Sequence, residues 1–115
     1  MPISPMQIEK RLAELSREIE EAHKELVEAE HTYHVSKASL EIAMARARMS
    51  VSHPDMKLTS VQREDEALIQ NQEALMQLAI AEAQVKAARA NNNRIRTQVD
   101  IARSISVSVR SSLEL

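Results

Sequence analysis

Twelve positions of this chain recur at alternating steps of four and three: Ile8, Leu12, Leu15, Ile19, Ala22, Leu26, Ala29, Tyr33, Ser36, Leu40, Ala43 and Ala47. Eleven are apolar and Ser36 is the exception. The spacing holds one stripe on one face of an α-helix, the heptad seam of a coiled coil, over about five repeats. A helix carrying such a seam needs a partner surface. A second series keeps the same steps through Ala67, Asn71, Ala74, Leu78, Ala81, Val85, Ala88, Asn92, Ile95, Val99, Ala102, Ser106, Val109 and Leu113. Alanine at so many of these places lets two backbones approach closely, and an asparagine in a seam costs stability while restricting register.

Composition supports long, unbroken helices. The chain has no glycine, where an average chain of this length would carry about eight. Phosphate-cradling glycine loops and turns that need positive φ are thereby excluded. There is no cysteine, so disulfides, thiolate metal sites and cysteine nucleophiles are excluded too. Tyr33 is the one aromatic residue and 16 residues are alanine, a set suited to thin helical seams rather than a thick core.

Local signals place the ends. Ser4-Pro5 is a helix entry, with Ser as cap and Pro at the first helical position. The first helix is expected over about 5–50, because Ser50-Val51-Ser52-His53-Pro54-Asp55 combines poor helix formers with a proline. A connection over 51–59 follows. Thr59-Ser60-Val61-Gln62 has capping-box spacing and opens a second helix over about 60–112. Three asparagines at 91–93 are the weakest helical stretch and a place for a local kink. The alternation Ile105-Ser106-Val107-Ser108-Val109 also reads as a strand, but continuity of the heptad frame favours helix.

A further stripe, Val35, Ala38, Ile42, Ala45 and Met49, lies on another face of the first helix and suggests more than one neighbour. Charge suggests how the helices pair. Residues 9–31 carry eight acids and four bases, net −4, whereas 83–113 carry six bases and one acid, net +5. An antiparallel hairpin sets residue 86 beside about residue 25 and residue 103 beside about residue 8, so the two charged halves run together. Each exposed pair is worth less than about 1 kcal/mol, but the pattern disfavours other registers. A two-helix hairpin roughly 60 Å long buries one stripe per helix, so self-association into a larger bundle is expected.

The second half also carries a resemblance. Met56-Lys57-Leu58-Thr59-Ser60-Val61-Gln62-Arg63-Glu64, then Val85-Lys86-Ala87-Ala88-Arg89, then Arg96-Thr97-Gln98-Val99-Asp100-Ile101-Ala102-Arg103-Ser104 resemble a group of small uncharacterised tailed-phage helical proteins encoded near recombination and replication genes. The likeness covers about residues 30–115. Ala102 stands where that group often has glycine, and Val109-Arg110-Ser111-Ser112-Leu113-Glu114 is a looser version of its tail. The resemblance implies a phage accessory protein.

Chemistry-bearing arrangements are few. Glu20-x-x-His23, Glu28-x-x-His31 and His31-x-x-His34 have the spacing of helical metal ligands, but all three histidines flank the seam and the second helix has none to complete a site. Surface histidines on a Glu-rich helix are the simpler reading, and no metal is expected. Lys86, Arg89, Arg94, Arg96, Arg103 and Arg110 are candidate phosphate contacts, with pairing to the acidic first helix as the competing use. No aromatic accompanies them to stack on bases. No spacing builds a nucleophile elbow or an acid–base pair, so no catalytic residue, cofactor or small-molecule substrate is expected. Tyr33 reads as core, and Met44 and Met49 as gap-fillers on the wide apolar face.

The sequence therefore predicts one all-α domain over 1–115, a long antiparallel helical hairpin (coiled coil) assembling into an oligomeric helical bundle. Its hairpin and oligomer seam is carried by Leu12, Leu15, Ile19, Leu26, Tyr33, Leu40, Leu78, Val85, Asn92, Ile95, Val99 and Val109. The expected role is a non-enzymatic phage accessory protein that binds a protein partner, in DNA recombination, replication or host take-over. A DNA-binding accessory factor using the basic half of the second helix is the first alternative, and a structural or assembly component of a virion the second. No apolar run approaches the roughly 18 residues of a membrane span, and no signal-peptide core follows Met1-Pro2-Ile3, so no membrane partner and a cytoplasmic location in the host cell are expected.

Overall fold

The computed structural model describes residues 4–50 and 59–114. They form three α-helices: α1 Pro5–Ser50, α2 Ser60–Gln70 and α3 Gln72–Glu114. No strand and no positive φ occurs among the described residues. None of the described helices is long and apolar enough to cross a membrane. The connection expected at 51–59 lies, up to residue 58, outside the described residues.

The entries of α1 and α2 are capped by side chains. At α1 the Gln7 backbone N–H donates to Ser4 Oγ over 3.2 Å, and the Ser4 N–H donates to Gln7 Oε1 over 2.9 Å. Thr59 and Gln62 repeat the arrangement at α2, again at 3.2 and 2.9 Å. Each box satisfies two backbone donors that a helix start leaves without intrahelical acceptors. At the other end of α1, Ser50 Oγ donates to the Ala47 carbonyl over 3.1 Å.

The second helical stretch is interrupted, and at a different asparagine from those singled out by sequence. Asn71 separates α2 from α3 with φ −109° and ψ 21°. Its side-chain amide donates to the Ala67 carbonyl over 2.9 Å, the acceptor that its own backbone N–H also uses at 3.1 Å. A short polar side chain competing for the helix's own acceptor distorts the turn. Leu75 N–H still reaches the Asn71 carbonyl at 2.9 Å, so the departure is confined to one residue. At 91–93, the place expected for a kink, α3 continues without interruption. There Asn91 Oδ1 accepts from Arg94 Nη2 at 2.9 Å and Asn92 is buried, so neither amide is diverted in this way. The segment 105–109 is helical.

Contacts divide the chain into two compact units, Met1–Glu28 with Lys86–Leu115, and Ala29–Val85. In the first, Leu15, Ala22 and Ile95 form the buried cluster, with Ile19, Val99 and Ala102 packed on it. Arg11 Nη2 donates to Gln98 Oε1 at 3.4 Å, and Ile8 shares a shallow groove with Ala102 and Ile105. As the α1 residue number falls the α3 number rises, so the segments run in opposite directions within this unit. Charge patterning set residue 103 beside about residue 8, which is the neighbourhood that the groove displays.

In the second unit Leu40, Met44, Ala47 and Ala67 form the buried cluster, with Ala74, Leu75 and Leu78 against it. Arg48 of α1 meets Glu64 of α2 in a two-pronged ion pair, Nε to Oε2 at 2.6 Å and Nη2 to Oε1 at 2.9 Å. Alanine supplies part of both clusters. Ala22, Ala47 and Ala67 are buried, which only close backbone approach permits in a layer this thin.

Candidate interaction surface

The seam residues sort cleanly by burial. All twelve positions of the α1 frame are buried or half-buried, and so are thirteen of the fourteen on α2 and α3. Leu15, Leu40, Val85, Asn92 and Ile95 are buried, while Leu12, Ile19, Leu26, Tyr33, Leu78, Val99 and Val109 are half-buried. The exception is Leu113, 70% exposed at the end of α3. Tyr33 makes an edge-on contact with His34, ring centroids 5.3 Å apart.

Asn92 is the one polar residue among the buried side chains described, 5% exposed, and its Oδ1 has no hydrogen-bond partner. A buried amide oxygen without a donor carries its full desolvation cost. Its neighbours along the seam, Ile95 and Ala88, have no side-chain donor to offer.

A second set of apolar residues is not covered. On α1 Val35, Ala38, Ile42, Ala45 and Met49 are all exposed, Ile42 at 55% and Met49 at 86%. Sequence spacing had singled out this stripe. It had not singled out its counterpart on α2 and α3, where Ile69, Met76, Ile80 and Ala83 are exposed as well, with Glu73 interposed. The missed signal is a constant offset. Each of these residues stands two places after a seam residue, as Ile42 does after Leu40 and Ile80 after Leu78. Two residues turn a helix by about 200°, to the side facing away from the seam.

The basic residues of α3 are exposed. Arg89, Arg96, Arg103 and Arg110 stand seven residues apart, one side of the seam throughout. Among the described residues no ion pair reaches Arg96, Arg103 or Arg110. Lys86 and Arg89 do have partners. The ion pairs of Arg11 stay within α1, to Glu14 at 3.3 Å and Glu18 at 3.7 Å.

His23, His31 and His34 are exposed on α1, and no group of three or more His, Asp or Glu side chains among the described residues could hold a metal ion. The groove lined by Gln7, Ile8, Arg11, Ala102 and Ile105 measures about 140 Å³ and is open to solvent. That is below the several hundred Å³ usual for a small-molecule site.

Glu64 and Arg48 perturb one another. Hydrogen bonding from Arg48 holds the Glu64 carboxyl below its ordinary value of 4.5, outweighing the opposing loss of solvation, with charge attraction adding to it. The same bond raises the Arg48 guanidinium.

What this geometry defines is a class, paired α-helices with covered seams and uncovered outer stripes. No protein-family model matches the chain, and no curated protein or solved structure matches it either.

Proposed function

We propose that this chain is a non-enzymatic accessory protein, an antiparallel helical hairpin that self-associates into a bundle and engages a protein partner. The observation that carries this reading is the uncovered apolar surface beside seams that are already filled. Val35, Ile42 and Met49 on α1, and Ile69, Met76 and Ile80 on α2 and α3, remain exposed after the helices have packed. Contiguous apolar surface rimmed by polar residues is the usual mark of an interaction face. The absence of glycine loops and of any cysteine agrees with a role in binding rather than chemistry. The process, phage DNA recombination, replication or host take-over in the cytoplasm of the host cell, rests on the resemblance of Arg96-Thr97-Gln98-Val99-Asp100 and its neighbouring motifs. Light scattering on the purified chain tests the self-association. Mass rising with micromolar concentration supports the reading, and a stable monomer removes it.

A DNA-binding role is the second reading, favoured by one observation. Arg96, Arg103 and Arg110 recur about every 10.5 Å along α3 and are exposed without an ion-pair partner among the described residues. Arginines so placed can neutralise phosphates, which makes binding fall steeply with salt. Replacing all three with glutamine should abolish any shift of short duplex DNA at low salt. If wild-type protein shifts no DNA there, this reading is wrong.

A further inference from the structure

We propose that a second copy of this chain docks the outer face of its α2 and α3 on the outer face of α1, so that copies join through unlike surfaces. The proposal rests on the self-association reading above and names the surface that performs it.

All the residues concerned belong to the Ala29–Val85 unit. Within it, Leu40 and Ala47 of α1 face Ala67, Ala74 and Leu78 across the filled seam. The two outer stripes sit about 200° round their helices from those seam residues, so they look away from one another. Each is therefore available to a neighbour without disturbing the pairing already made.

The stripes match in length. Val35 to Met49 and Ile69 to Ala83 each advance fourteen residues, about 21 Å of helix, at the same alternating steps. They also match in charge. Arg46 is exposed beside the Met49 end of the α1 stripe, while Asp65, Glu66 and Glu73 are exposed at the N-terminal part of the other. Laid antiparallel in the register in which Arg48 meets Glu64, Arg46 of one copy falls beside Glu66 of the next. Ile42 then falls beside Ile69 and Val35 beside Met76. One register thus brings apolar residues together and opposite charges together, as the chain's own seam does. The flanks Gln70, Gln77 and Ser39 are uncharged and exposed, and the exposed Glu41 falls beside Gln70 and Asn71 rather than beside an acid.

A contact between unlike faces leaves one face of each kind unused in any pair. Repeated, it closes into a ring or grows into a filament rather than stopping at two.

Sedimentation velocity on wild type, Ile42→Glu and Ile80→Glu, with helicity checked by circular dichroism, tests the proposal. Wild type should exceed a dimer at the higher concentrations. Each variant alone should fall to the 12.9 kDa of one chain. An equimolar mixture of the two should recover a species of twice that mass, because each variant retains the face that the other has lost. Should either substitution reduce helicity, Met49→Glu and Ile69→Glu interrupt the same two faces. A mixture that stays monomeric overturns docking through unlike faces. A wild-type oligomer that neither substitution weakens overturns this surface and leaves self-association standing, whereas a monomeric wild type overturns both.

Discussion

Arg48 grips Glu64 with two guanidinium nitrogens, Nε at 2.6 Å and Nη2 at 2.9 Å, and joins α1 to the first turns of α2. Two-pronged geometry makes this the strongest kind of arginine–carboxylate contact, although both side chains are more than two-fifths exposed and screening limits its worth.

The pair sets a pH dependence. Glu64 has a carboxyl pKa lowered by folding, so its contribution is present above the unfolded value near 4.5 and is lost as pH falls through the lower folded value. Arg48 is shifted upward and stays charged throughout that range. Thermal melts of wild type and Glu64→Gln at neutral pH should differ by no more than about 3 °C, wild type higher. The gap should close well below pH 4.5. A gap that persists in strong acid contradicts the assignment.

Asn92 offers a gain in stability. Replacing it with leucine removes a buried oxygen that has no donor and adds apolar contact beside Ile95. Urea denaturation should show stabilisation of about 1–3 kcal/mol. Polar seam residues restrict register and partner number, so the variant's assembly should become less uniform by sedimentation. Destabilisation would mean that Oδ1 has a donor in solution.

Burial separates two leucines of the same heptad frame. Leu15 is 1% exposed and Leu113 is 70% exposed. Leu15→Ala should cost about 3–5 kcal/mol in chemical denaturation, the range for a buried leucine that leaves a cavity. Leu113→Ala should change stability by less than about 0.5 kcal/mol. Equal effects would show that Leu113 is covered in solution.

Thr59 anchors both halves of the second capping box. Thr59→Ala removes the acceptor for Gln62 N–H, and should cost about 1 kcal/mol while Thr59→Ser costs little. Circular dichroism during denaturant titration reads both. No loss in the alanine variant would mean that solvent serves the helix start equally well.

Much of this arrangement was written in spacing. The four-three series located every buried position on α1 except Met44, because a heptad frame depends only on which residues share a face and Met44 packs in from beside it. The capping box at Thr59 followed from side-chain reach alone. What escaped depended on the local competition of polar groups. Asn71 and Asn92 are the same residue type in the same frame, yet one turns its amide onto Ala67 and breaks the helix while the other stays in the seam. Spacing cannot tell those outcomes apart. The outer stripe on α2 and α3 was hidden for another reason, since Glu73 interrupts it and the alanine-rich surroundings lower its contrast.

The contacts across the helices span very unequal lengths of chain. Arg48 and Glu64 are 16 residues apart, whereas Arg11 and Gln98 are 87 apart. Closing the longer loop from an unstructured chain carries about 1.5 kcal/mol more entropy than closing the shorter. Each seam contact made outward from the near pair shortens the loop that the next must close, so the difference is removed step by step rather than at once. Folding is thus expected to proceed as a zipper, from the Leu40–Ala67 cluster towards Leu15 and Ile95. In stopped-flow measurements Leu40→Ala should chiefly slow folding, and Leu15→Ala should chiefly hasten unfolding; the reverse pattern would place the nucleus at the chain ends.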